Sequence, residues 1–356
     1  MDQQQWQDFL SSRGAHWVDG AAHFSQDSDS TSGTDIQLID LSPLGAIAVT
    51  GPDSQKFLQG QLTCDLVKLP DEHLTLGSHC NPKGRMISAF HALKIDQSQF
   101  VMLMPRDLVA SALAALKKYA VFFKTELTDV SETQRWFGLN GRDIGTAASH
   151  LLCLSNSSDT DLIPGQLRSF DHNGHPALAA MLNERCVAIQ VPNVQAADLW
   201  QKLEGNNARP GDYSHWQQQL IEAGIPQVHQ SSSEMFIPQM LNLHLLGGVN
   251  FKKGCYTGQE VVARMQYLGA AKRRMYRAKI DKGDIPQAGE EIFTPAGGSS
   301  VGNLVEACTT GDEIELLAVL TKSKVADGES LQLSDGRVLE LLELPYDADA
   351  DPLASD

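Results

Sequence analysis

Three apolar runs joined by very short turns set the strongest limit on what this chain can fold into. Residues 74–80, 86–95 and 100–104 read as successive strands. Asn81-Pro82-Lys83-Gly84 makes the first turn and Asp96-Gln97-Ser98 the second. Turns this short cannot carry the crossover that parallel strands need, so the three form an antiparallel meander. Residues 106–119 follow as the clearest helix, with Leu108, Ala112, Leu113, Leu116 and Tyr119 at three- and four-residue spacings. Elsewhere strands and helices alternate without a regular βαβ rhythm. The reading is therefore α+β with largely antiparallel sheets, not a doubly wound fold.

Further elements fit that class. Residues 3–13 predict a short helix with Trp6, Phe9 and Leu10 on one face. Residues 36–41 and 46–50 predict strands around a Ser42-Pro43 turn, and Asp53 or Ser54 is placed to cap a helix through Leu62. Strands are expected at 122–127 and 136–139, a helix–strand alternation from 145 to 190, and a helix at 196–203. After Met275 the texture changes to short β-rich segments at 275–280, 291–294, 300–307, 314–320, 330–333 and 338–341, which predict a small barrel or sandwich. A chain of 356 residues is long for one hydrophobic core. The expected division is an N-terminal helix and polar linker (1–34), an α+β region of two interleaved subdomains (35–274), a C-terminal β-barrel (275–346) and an acidic disordered tail (347–356).

Charge and cysteine usage narrow the function. The net charge of −16 repels phosphate backbones, which argues against direct tRNA binding over a broad surface. Lys272-Arg273-Arg274 with Arg277 and Lys279 is either a functional basic patch or a solvated strand edge. Six cysteines are scattered without C-x-x-C spacing, so no metal site is indicated and reduced thiols are expected. Cys153 and Cys186 read as small buried hydrophobes. No signal peptide or membrane span is indicated, and a cytoplasmic location is expected. Phosphate-loop, dinucleotide-fingerprint, His-pair metal and nucleophile-elbow motifs are all missing.

One segment stands out chemically. In Lys253-Gly254-Cys255-Tyr256-Thr257-Gly258-Gln259-Glu260, two glycines bracket a cysteine. Glycine permits positive φ or close approach to a neighbour. Lys252 and Lys253 set positive charge beside the thiol, which favours thiolate. A helix follows over 261–267, with Glu260 and Arg264 spaced for an i, i+4 pair. Cys255 is thus a reactive or ligand-facing thiol, or else a small residue packed in a glycine-shaped turn. Trp216 offers a flat face for a planar ring, and Glu222 can accept two hydrogen bonds from an amino-pyrimidine edge; the alternative is a core tryptophan and a solvated glutamate.

Taken together these stretches resemble the YgfZ family of folate-binding, tRNA-modification-associated proteins. The resemblance is closest over residues 252–264. It extends to Gly60-Gln61-Leu62-Thr63, His79-Cys80 with Lys83-Gly84, residues 118–122, Glu222-Ala223-Gly224-Ile225-Pro226, Phe236-Ile237-Pro238-Gln239 and Leu246-Gly247-Gly248-Val249, all in the same order. It implies an aminomethyltransferase-like fold around a folate pocket, followed by a C-terminal β-barrel. It also implies tetrahydrofolate or a derivative as cofactor, and support of iron–sulfur proteins such as tRNA-thiolating enzymes. Cys255 matches the signature cysteine, Trp216 a folate-associated tryptophan and Glu222 a pterin-edge glutamate. Leu44 stands where the family has a second tryptophan; leucine covers an apolar ring face without π-stacking. Aminomethyltransferases carry a catalytic aspartate after the first hairpin turn, but Met86-Ile87-Ser88-Ala89-Phe90 holds no carboxylate. Folate binding without aminomethyl transfer is expected. A folate-dependent one-carbon transferase or demethylase is the alternative.

Overall fold

In the computed structural model, residues 1–24, 36–154, 161–268 and 271–350 are described. The Asp27–Gly33 linker expectation lies outside them. The predicted N-terminal helix forms over Gln3–Ser11. Asp2 caps it, accepting from the Gln5 amide while the Gln5 side chain accepts from the Asp2 amide. Its buried Trp6 stacks on Phe137, meets Trp200 edge-on and donates to Asp40 Oδ1 at 2.9 Å. That one indole fixes the helix to the body through aromatic area and a satisfied N–H.

The predicted meander forms as His73–Cys80, Met86–Lys94 and Gln99–Pro105. Leu44–Thr50 and Glu126–Asp129 extend it into a five-stranded antiparallel sheet. The helix Arg106–Ala120 lays Leu108, Val109, Ala112 and Leu116 against it. A second sheet has six strands, in the order Leu167–His172, His175–Asn183, Cys186–Pro192, Gln134–Asn140, Ile36–Asp40 and Ala208–Gly211. Only its last pair is parallel. Both sheets share one apolar core. Leu44, Leu93 and Leu103 of the first face Trp136, Leu178 and Ala188 of the second, with Trp216 and Leu220 of the helix Tyr213–Glu222 between them.

The C-terminal sheet orders Glu291–Ile292, Gly302–Thr310, Glu313–Thr321, Arg273–Asp281 and Glu340–Leu342, all antiparallel. The ladder is open, yet single bridges Phe293–Gln332 and Gln332–Val338 stitch its two edges, so it curls into a partial barrel. The strand predicted at 330–333 reduces to that bridging residue. One face makes a core of its own with Leu304, Leu316 and Leu320. The other sends Met275, Val305, Leu317 and Val319 into the core beneath the first sheet. Residues 347–350 of the expected tail are described, and Asp349 pairs with Arg274 and with Lys322 at 3.4 Å. Residues 351–356 lie outside the described residues.

Four local expectations are corrected. The helix after Asp53 stops at Gln59, because Leu62 leaves to pair with His79. Asp53 does not cap it; its carboxylate accepts from the Lys124 amide at 2.8 Å. Residues 121–124 turn instead of extending, which leaves Phe122 85% exposed. Cys153 is exposed, sitting at φ +55° after a helix end, whereas Cys186 is buried. The basic stretch proves to be a solvated strand edge: Arg277 pairs with Glu315 at 2.6 Å, and Lys279 with Glu313 at 2.9 Å and Glu340 at 3.5 Å.

Candidate functional site

The signature segment is held by sequence-distant backbone. Lys253 is buried, and its Nζ donates to the carbonyls of Leu62 and Cys64, each at 2.7 Å, with the Tyr256 ring 5.2 Å away. Burial pulls the Lys253 amine down to about 8. Thr257 Oγ1 donates to Gln61 Oε1 at 3.3 Å. Thr63 Oγ1 donates to the Gly248 carbonyl at 2.6 Å, and the Asn250 amide to the Thr63 carbonyl at 2.9 Å. Gln239 Nε2 donates to the Val262 carbonyl at 2.6 Å. Stretches that resemble a family only as scattered pieces therefore converge on one knot.

Two glycines allow the closest approach in that knot. Gly84 (φ +71°) closes the hairpin turn, and Gly258 (φ +83°) opens the helix Gln259–Leu268. A Cβ at Gly258 would stand 2.6 Å from the Asn81 carbonyl oxygen; one at Gly84 would stand 2.9 Å from Val261 Cβ. Both positions need glycine for conformation and for space. Arg85 completes the seam, donating to the Glu234 carbonyl at 3.2 Å and the Met235 carbonyl at 2.5 Å.

Cys255 emerges from this scaffold exposed, beside exposed Gly254. Its neighbours differ from the sequence expectation in two ways. Lys253 turns inward to its two carbonyls, so its charge serves the scaffold and not the thiol. Glu260 and Arg264 are both exposed, and among the described residues no ion pair joins them. Cys64 and Cys80 are buried, and burial pushes their thiols up to about 11 and about 12. Tyr256 is buried with its hydroxyl unpartnered. Among the described residues no group of three or more His, Cys, Asp or Glu is placed to hold a metal ion.

A cavity opens between the two sheets, with ≈ 340 Å³ of empty space including its mouth. Its walls include Leu44, Phe90, Leu103, Trp216 and Leu220, with Ala89 and His91 from the strand Met86–Lys94. Leu44 and Trp216 thus meet in one wall, as the resemblance implies. Trp216 is fully buried, because its helix presents Tyr213, Trp216 and Leu220 on one face. The indole is seated on bare backbone: a Cβ at Gly138 would lie 2.6 Å from Trp216 Cε3. The helix ends at Gly224 (φ +64°), with the Ile225 amide donating to the Leu220 carbonyl at 2.9 Å. That reversal returns Pro226 and Gln227 to the cavity.

Glu222 is the exception among the expected ligand residues. It is half-buried outside the cavity walls, and its two carboxylate oxygens accept from Gln218 Nε2 at 2.9 Å and Gln219 Nε2 at 3.2 Å. Three polar atoms do meet the cavity walls buried and without partners: Trp216 Nε1, His91 Nε2 and the Gln227 side-chain oxygen. Sequence reasoning missed His91 and Gln227. A histidine in an apolar strand and a glutamine after proline carry no motif, although alternation along residues 87–93 puts His91 on the face of Ala89 and Leu93.

The comparisons with known proteins agree with this architecture. The GCVT N-terminal domain family matches residues 19–252. A "tRNA-modifying protein YgfZ" of Enterobacter sp. (strain 638) is 32% identical over 314 residues, covering 87% of this chain and 93% of that protein. A protein of the same description from Photorhabdus laumondii is 32% identical over 323 residues, covering 89% and 94%. The glycine cleavage system aminomethyltransferase T of Bartonella henselae superposes with a TM-score of 0.73 at 17% identity, covering 94% of this chain and 95% of that one. That likeness establishes the fold.

Two predictions follow from the geometry. Lys253→Met strands two buried carbonyls, at about 1–3 kcal/mol each. Urea denaturation should show a loss on the order of 2–5 kcal/mol, with Cys255 still reactive toward a thiol reagent under native conditions. The second concerns acid. Burial pulls both His79 and His91 from 6.5 down to about 4. From pH 6.5 towards 4 the unfolded chain takes up protons that the folded chain refuses, so stability falls as pH falls through that window. The slope contributed is at most about 1.4 kcal/mol per pH unit for each imidazole. Denaturation at pH 6.5, 5.8 and 5.0 should give a shallower slope for His91→Phe than for the wild type.

Proposed function

We infer function from a premise that is secure: the chain belongs to the YgfZ family, within the aminomethyltransferase-like superfamily. The reading best supported is a folate-binding factor that serves tRNA modification. In it, tetrahydrofolate or a derivative occupies the cavity beside Trp216, and Cys255 acts as the functional thiol. The protein works in the cytoplasm in support of iron–sulfur enzymes, including those that thiolate tRNA.

The observation that carries the reading is the cavity itself. Aromatic and aliphatic walls with a few buried polar atoms suit a flat polar heterocycle. Leaving a buried donor or acceptor unpaired costs about 1–3 kcal/mol, so three around one small space favour a partner that satisfies them. Trp216 and Phe90 would cover the ring, and Leu44 adds an aliphatic contact. Bound folate would supply a one-carbon carrier; the chain's own residues bind it, orient it and exclude water. Aminomethyl transfer is not proposed. Among the described residues lining the cavity none is a carboxylate, and burial keeps the imidazole of His91 neutral near pH 7. Such walls offer little to move a proton during group transfer.

The exposed thiol stands apart from that neutral lining. Its loop is built on Lys253, Gly258 and Tyr256, all committed to packing, which leaves Cys255 free to meet a macromolecular partner. No helix among the described residues is long and apolar enough to cross a membrane.

Two measurements test the reading. Calorimetric titration with tetrahydrofolate should show binding, and Trp216→Ala should weaken it roughly tenfold or more, the scale of a lost aromatic contact. Absence of heat and of any tryptophan emission change in the wild type rejects the folate site. In a strain lacking the protein, Cys255→Ala should fail to restore thiolated tRNA, scored by mass spectrometry of tRNA hydrolysates. Full restoration would remove the thiol from the mechanism.

A further inference from the structure

The cavity contains a recognition device different from the carboxylate that the resemblance implies. Glu222 makes hydrogen bonds with both of its oxygens, to Gln218 and Gln219 on its own helix, and is not among the wall residues. Gln227 is a wall residue. It is 8% exposed, and its carboxamide oxygen is buried without a partner. His91 is 7% exposed with Nε2 in the same condition, and it too lines the cavity. His91 stands opposite Leu76 on one neighbouring strand and Leu103 on the other, and both leucines are wall residues. Gln227 arrives on the reversal after Gly224, whose positive φ is reinforced by packing: a Cβ there would stand 2.7 Å from the Tyr346 ring. The Tyr346 hydroxyl donates to the Gly224 carbonyl at 3.0 Å, so the C-terminal region fixes the turn that delivers Gln227.

We propose that Gln227, seconded by His91, reads the hydrogen-bonding edge of the ligand's ring, in place of Glu222. The proposal rests on the folate reading for the identity of that ring. Its chemical content is specific. A carboxylate presents acceptors only and selects an edge with two donors, above all a protonated 2,4-diamino-pteridine. A carboxamide presents one acceptor and an NH₂ donor, and therefore matches an edge that alternates donor and acceptor, such as the 2-amino-4-oxo edge of a natural pteridine. A neutral imidazole likewise offers one donor and one acceptor. The pocket is thereby tuned to a neutral ring.

The test compares two probes, tetrahydrofolate and a 2,4-diamino-pteridine antifolate, on the full chain by calorimetry. Far-UV circular dichroism and thermal unfolding first confirm that each variant folds. Wild type should bind tetrahydrofolate and show no preference for the diamino compound. Gln227→Leu should weaken tetrahydrofolate about tenfold or more, the scale of a lost buried hydrogen bond. Gln227→Glu should reverse the order, favouring the diamino probe by at least about tenfold. Glu222→Gln should leave both affinities within about twofold. If wild type binds and Gln227→Leu binds equally well, or Glu222→Gln causes the loss, the assignment of the edge to Gln227 is overturned while the folate reading stands. If wild type binds neither probe, the folate reading and this assignment fall together.

Discussion

A single buried ammonium ties the functional surface to the body of the protein. Lys253 reaches back to the carbonyls of Leu62 and Cys64, partners lying 191 and 189 residues earlier in the chain. Burying that charge is unfavourable, as the downward pull on its amine shows, and two short hydrogen bonds and the Tyr256 ring offset the cost. The contact between Gly84 and Gly258 works with it, admitting two turns to each other without side chains in the way. Around these points the other shared stretches become intelligible. Thr63 holds Gly248, Gln239 holds the helix after Gly258, and Arg85 holds residues 234–235. Most of the motif is architecture, and it leaves one side chain, Cys255, projecting outward.

Two sites follow, of opposite character. One is an exposed sulfur on a rigid loop. The other is an enclosed, largely apolar cavity whose polar atoms are neutral groups. They share the strand that begins at Met86. Its hairpin turn meets Gly258, and its middle supplies Ala89 and His91 to the cavity. The curled C-terminal sheet also reaches the cavity indirectly. Asn242 Nδ2 donates to the Met275 carbonyl at 3.1 Å, and Tyr346 secures Gly224. Its strands share a core with the first sheet, so it acts as a buttress and not as a detached appendage.

The fold was largely legible in the sequence because it depends on local signals. Short turns fixed the meander, three- and four-residue spacing fixed the helix ending at Ala120, and Leu44 and Trp216 do share a wall. What stayed hidden depends on where side chains find partners. Nothing local says that Lys253 turns inward to residues 62 and 64 instead of lying beside the thiol. Glu222 reads as a ligand contact until Gln218 and Gln219, on the same helix, are seen to occupy it. His91 and Gln227 carry no motif, and only the meeting of two sheets turns them into a recognition edge. Phe122 looked like a strand residue because aromatic rings favour strands, yet the chain turns there.

The span of the Lys253 contact also dictates when the thiol loop can take shape. Contacts of long sequence separation must close large loops and tend to form late in folding. During synthesis the carbonyls of Leu62 and Cys64 leave the ribosome long before their ammonium partner exists. The loop can close only onto an assembled first sheet, and a chain that stalls before residue 253 never presents the sulfur in its finished setting. The chemically active atom is thereby displayed last, as a mark that the rest of the molecule is complete.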